Sequence, residues 1–109
     1  MSFENPLPIR LKEARKKAKL SQKALGVRIG MEESSASARM NQYEKGVHTP
    51  DIKTLKLIAD ELGVPLYYFF CEDEFSADLA INLNKLSDGD KQRVLALAAQ
   101  LLEQAEARK

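Results

Sequence analysis

The side chains of this 109-residue sequence that could do chemistry gather in one helix-like stretch, Ser34 to Lys45. With Met40 as origin and a turn of about 100° per residue, Ala36, Met40, Tyr43 and Glu44 share one direction. Ser34, Ser35, Ala38, Asn41, Gln42 and Lys45 take the opposite direction, with Ser37 and Arg39 on the flanks. The outward face therefore carries short hydrogen-bonding side chains and a terminal cation, and no carboxylate. Two readings fit it. One is an ordinary solvated helix face. The other is a helix laid in the major groove of DNA. There Asn and Gln bond adenine through two contacts, Ser bonds several base edges, and a small Ala lets the helix approach or touches a thymine methyl.

Two charges point the wrong way for a soluble helix. Arg15 shares a stripe with Leu11 and Ala18, and Glu44 lies on the inward face of the third helix. Either charge buried alone costs several kcal/mol, whereas a buried pair is tolerable. The two either meet or reach out to water. A basic cluster of Arg10, Lys12, Arg15, Lys16, Lys17 and Lys19 suits either solvent or phosphates. His48 and Thr49, just after the third helix, are placed to touch a nucleic-acid backbone, and His48 equally suits a plain loop.

Catalytic chemistry has little to work with. One histidine, His48, and one cysteine, Cys71, cannot hold a structural zinc alone. No Ser/His/Asp arrangement can be assembled around a single loop histidine. Glu32 and Glu33 are adjacent and so point apart, and no glycine-rich phosphate loop is present. Cys71 reads as a small filler rather than a redox sensor. No enzymatic activity, cofactor, metal or small-molecule ligand is expected. A single cysteine suits a reducing cytoplasm, the start Met1 to Pro6 lacks the pattern of a secretory leader, and no apolar run reaches the length of a membrane span.

The elements that must position these residues read as a row of short helices. Strand alternation is nearly absent and helical spacing recurs. Pro8 suits the first turn of a helix running through Ile9 to Lys19, with Leu11, Ala14 and Ala18 as its apolar stripe. Ser21 caps a second helix from Gln22 to Ile29, ended by Gly30. Met31 to Ser35 reads as a polar connection, and the third helix as Ser35 to Lys45, closed by Gly46. A loop, His48 to Asp51, leads to a fourth helix with Ile52, Leu55, Ile58, Ala59 and Leu62 on one face. Pro65 opens a short fifth helix whose Leu66, Phe69 and Phe70 close the core. Two further helices follow an acidic junction, Phe75 to Leu86 and Asp88 to about Ala107, separated by a turn in which Ser87 is the cap. Residues 1–70 hold twelve Lys/Arg against eight Asp/Glu, and residues 71–109 hold five against eight. That imbalance points an anionic partner at the front half.

These residues together resemble the helix-turn-helix domain of phage repressor and Cro proteins, the XRE-type regulators of bacteria. The resemblance rests on Arg15, Leu20-Ser21-Gln22, Leu25, Ile29-Gly30, Met40-Asn41-Gln42-Tyr43-Glu44-Lys45-Gly46, Pro50, Leu55, Ile58-Ala59, Leu62-Gly63-Val64 and Pro65, and covers roughly residues 7–70. It implies that the second and third helices form the helix-turn-helix and that the third reads DNA. It implies that an Arg15–Glu44 pair ties the first helix to the third. It also implies that Gln22 and its helix N-terminus meet a phosphate. Two departures stand out. The gap from Gly30 to Met40 is about four residues longer than usual, which either lengthens the turn or extends the third helix. Gly26 stands where the family commonly has Ala.

The expected architecture is all-α. A five-helix repressor-like DNA-binding domain occupies residues 1–70, and a helical segment, 75–109, follows. In that segment Phe75, Leu79, Leu83 and Leu86 form one stripe, and Val94, Leu95, Leu97, Ala98, Leu101, Leu102 and Ala105 a broader one. So wide a face must be covered, by folding back or by a second copy. It exceeds what the preceding short helix can cover, which favours a homodimer. The expected function is sequence-specific binding of double-stranded DNA to regulate transcription, by repression, through Gln22, Ser35, Ser37, Ala38, Arg39, Asn41, Gln42, Lys45, His48 and Thr49. The competing reading is a protein-interaction module of the same fold, such as an antitoxin or a subunit of a complex.

Overall fold

Five of the six α-helices among the described residues begin where a side chain takes up an orphaned backbone N–H. Asn5 Oδ1 accepts from Leu7 N at 3.1 Å, opening α1 (Leu7–Lys17) behind Pro6. Ser21 Oγ accepts from Ala24 N at 2.9 Å and opens α2 (Gln22–Arg28). Asp51 accepts from Thr54 N at 2.7 Å and opens α4 (Ile52–Leu62). Asp73 does the same for α5 (Glu74–Lys85), and Ser87 for α6 (Asp88–Ala107). A 3₁₀ helix, Leu66–Phe70, lies between α4 and α5. In this computed structural model, which describes residues 3–109, no strand forms among the described residues. Met1 and Ser2, part of the stretch read above as lacking a leader, lie outside the described residues.

The remaining helix, α3 (Glu33–Glu44), starts two residues before the expected position, after Glu32 in an extended conformation and without a side-chain cap. Met31, read as part of a polar connection, instead packs against the core. The extra residues before Met40 thus mostly become helix. Gly26 explains itself here, because a Cβ built on it would stand 2.8 Å from Ala36 Cβ and 3.1 Å from Met31 Sδ. The missing side chain lets α2 and α3 cross at contact distance.

The core is built from Leu7, Leu11 and Ala14 of α1, Leu25 of α2, Met40 and Tyr43 of α3, and Leu55, Ile58 and Ala59 of α4. Tyr68 and Phe69 of the 3₁₀ helix complete it, with Ala77 and Ala80 of α5. Several expectations need correcting. Ala18 is exposed, because α1 ends at Lys17 and the chain turns through Lys19 at φ 59°. Ile52 is exposed at the first turn of α4. Tyr68 is buried and Phe70 is not. At three residues per turn, Tyr67 and Phe70 share an outer ridge while Leu66 and Phe69 share an inner one. Phe75 is exposed, and α5 docks instead through Ala77 and Ala80, so the core continues past residue 70.

No residue of α6 is buried. The radius of gyration is 16.9 Å, and the molecule extends 58 Å in its longest direction. A compact chain of this length has a radius nearer ~13 Å. The difference is α6, which runs away from the body with its aliphatic face uncovered.

Candidate nucleic-acid interface

The α2–α3 pair is mounted on α1 through one polar network. Glu44 accepts from Arg15 Nε at 2.5 Å and from Arg15 Nη2 at 3.0 Å, a two-pronged contact. Arg15 Nη1 donates to Leu20 O at 2.9 Å, in the turn that leads into α2. The two side chains are only 11% and 3% exposed, so the inward charges inferred from the sequence do meet. The bond to Glu44 holds the Arg15 guanidinium above its ordinary pKa, in spite of burial. Gln22 Nε2 completes the network, donating to Glu44 Oε1 at 3.2 Å and to Asn41 Oδ1 at 3.1 Å. One carboxylate thus collects donors from α1 and α2 and sets the angle at which α3 leaves the body.

On the opposite side of α3 the side chains are free to meet a partner. Ser34, Ser37, Ala38, Arg39, Gln42 and Lys45 are exposed, and Ser35 and Asn41 are half-buried. Ser35 Oγ donates to Glu32 O at 3.5 Å. His48 and Thr49 are exposed just beyond α3. The structure therefore brings Ser35, Ser37, Ala38, Arg39, Asn41, Gln42 and Lys45 onto one helix, with Gln22 beside them. The inward face holds Ala36, Met40 and Tyr43, all buried. Two amides here differ in what they can do. Gln42 stands in solvent with donor and acceptor both presented. Asn41 is half-buried, and its oxygen accepts a hydrogen bond from Gln22, which ties its amide to α2.

Reading by residue type missed Arg10. It sits in the basic cluster of α1, yet it is buried. Its Nε donates to Cys71 O at 2.9 Å, and its Nη1 to Glu13 at 2.8 Å and Glu74 at 3.0 Å. The available signal was its place on the Leu7–Leu11–Ala14 stripe. Lys12, Lys16, Lys17 and Lys19 remain exposed. Beside Arg10, the Tyr68 hydroxyl is buried without a hydrogen-bond partner, and burial pushes its pKa up to about 12. Among the described residues, no group of three or more His, Cys, Asp or Glu is placed to hold a metal ion, and no helix is long and apolar enough to cross a membrane.

Comparison with known proteins agrees with this geometry. A helix-turn-helix family model matches residues 11–69, which span α1 through the 3₁₀ helix. The chain belongs to the XRE-type helix-turn-helix family. Membership makes DNA-binding regulation of transcription its class of function. Among solved structures, that of the transcriptional regulator BswR is similar over 89% of this chain and 96% of its own, at 42% identity and a TM-score of 0.83. No curated protein matches.

Proposed function

We propose that this chain is a sequence-specific double-stranded DNA-binding repressor that works in the cytoplasm as a homodimer on a near-palindromic operator. The observation that carries the reading is the outward face of α3, a row of short hydrogen-bonding side chains without a carboxylate, on a helix anchored from behind by Arg15 and Glu44. The likeness to the transcriptional regulator BswR supports the regulatory part. Repression asks only that a promoter be occupied.

Roles follow from the donors and acceptors left over. Gln42 offers an amide oxygen and N–H together, the pattern that adenine accepts in the major groove. Asn41, held by Gln22 through its oxygen, offers its N–H groups to acceptors such as guanine O6 and N7 or thymine O4. Ser35, Ser37, Ala38 and Arg39 line the earlier turns of α3 against the groove, and Lys45, His48 and Thr49 lie where the backbone passes. Gln22 spends its N–H groups on Asn41 and Glu44. Its phosphate contact therefore falls to the backbone N–H groups of the first turn of α2.

Binding selection from a random DNA library tests the reading, since it yields both a preferred sequence and a half-site spacing. A spacing near one helical turn, about 34 Å, is expected. Gln42→Ala should then cost about 1–3 kcal/mol on the selected site and relax preference at one base position. Equal loss on random DNA would confine Gln42 to holding the backbone. Failure to enrich any sequence would favour the protein-interaction alternative.

A further inference from the structure

The charges of α6 have an order that its uncovered face makes meaningful. From Asp88 onward the signs run minus at Asp88 and Asp90, plus at Lys91 and Arg93, then nothing through the nine residues Val94 to Leu102. They resume as minus at Glu103 and Glu106, and plus at Arg108 and Lys109. Reversing a second copy of the helix against the first sets each sign against its opposite. In register, Asp88 lies opposite the partner's Lys109, Asp90 opposite the partner's Arg108 and Lys91 opposite the partner's Glu106, whereas Arg93 and Glu103 sit on the far side of the helix. All three matches need nearly the same register, centred between Ala98 and Ala99. A parallel pair in register would set every charge against its own like.

We propose that α6 pairs antiparallel with α6 of a second copy in this register. The proposal rests on the dimeric reading above and gives that reading its surface. Four leucines of α6 demand such cover, with Leu95 63% exposed, Leu97 55%, Leu101 54% and Leu102 60%. Helical phase puts Asp90 and Arg108 on one side of the apolar face, and Asp88, Lys91, Glu106 and Lys109 on the other. In an antiparallel pair, like sides meet. Arg93, on the far side, is drawn back to Asp90 across one turn of its own helix at 3.3 Å. Opposed helix dipoles add to the preference. Ala98, on the apolar face at the crossing, lets the two backbones come close, toward the lower end of the usual ~8–10 Å.

The body of the molecule is shaped for the same occupant. A groove of about 440 Å³ runs beside α6, lined by Tyr67, Leu79, Leu83, Val94, Leu95 and Ala98 among others. In the proposed register, the partner's Leu102 lies opposite Leu95 and enters this groove. The partner helix is then held by α5 as well as by α6, and by symmetry the two copies close a bundle of four helices.

Sedimentation of the full chain without DNA tests the pairing. The wild-type chain should be a dimer at micromolar concentration. Lys91→Glu should weaken self-association about tenfold, because two attractions become two repulsions, and Glu106→Lys should do the same. The chain carrying both changes should recover, and an equimolar mixture of the two single variants should form a mixed dimer in preference to either alone. Glu106 is exposed and Lys91 half-buried at the rim of the groove, and neither is in the core, so native helicity by circular dichroism is expected throughout. A monomeric wild type, or single variants that dimerise as wild type does, would overturn the pairing. Base-specific DNA binding, measured separately, bears on the proposed function alone: a wild-type dimer without it would leave the pairing intact and remove the DNA reading.

Discussion

Glu44 holds three donors from two helices, so its loss reaches further than one bond. Glu44→Ala leaves Arg15 buried without its counter-charge and should destabilise the fold by about 3–5 kcal/mol in urea unfolding. A double-mutant cycle with Arg15→Ala should return a clear coupling energy. Tyr68 is the opposite case. Its hydroxyl is buried and unpartnered, so Tyr68→Phe should leave the melting temperature unchanged or raise it. The phenol stays protonated in the fold up to about pH 12, against 10.0 ordinarily. Its contribution is therefore present below pH 10.0 and lost as pH rises toward 12, and Tyr68→Phe should flatten that alkaline loss. Arg15 and Glu44 were legible in the sequence because each interrupts an apolar stripe of its own helix. Arg10 interrupts the Leu7–Leu11–Ala14 stripe in the same way, but it stands among Lys12, Lys16 and Lys17, and its partner Glu74 is 64 positions away.

At the scale of elements, what local spacing could reveal was the number and order of the helices. Caps at Ser21 and Ser87 fell where serine before an apolar pattern predicts them. The start of α3 did not, since Met31 to Ser35 reads as a polar connection while packing decided for Glu33. Met31 folds inward and Ala36 presses on Gly26, and both contacts are tertiary. The pattern at Leu66–Phe70 misled for another reason. A five-residue run does not declare whether it turns at 3.6 or 3.0 residues, and only the latter carries Phe70 away from Leu66 onto the outer ridge with Tyr67. Gly26→Ala tests the α2–α3 contact. Helix propensity alone would favour alanine by about 1 kcal/mol. The added methyl meets a Cβ fixed on another helix, and overpacking of that kind costs about 1–3 kcal/mol. We expect net destabilisation, read as a lower urea midpoint, together with weaker DNA binding as α3 is displaced.

For the whole molecule, the apparent seam and the physical seam differ. The acidic junction at Cys71 to Glu74 looked like a linker, yet Arg10 bonds both of its ends and Ala77 and Ala80 lie in the core beyond it. The weaker joint is at Leu86 and Ser87, after which nothing is buried. A chain ended after Leu86 should melt cooperatively close to the full chain. One ended after Phe70 should melt far lower, because it loses two core alanines and strands Arg10. A reversal of that order in thermal unfolding would place the seam back at residue 71.

Under the dimeric reading proposed above, a core closed without α6 lets subunits part without unfolding. Each head would then persist as a folded monomer, and dimers would exchange freely. Under the reading proposed above, occupancy of a paired site at low abundance grows more steeply than in proportion to the number of molecules in the cell. Repression would answer to the protein's own copy number as a threshold rather than a gradual dial, with no inducer needed to set it.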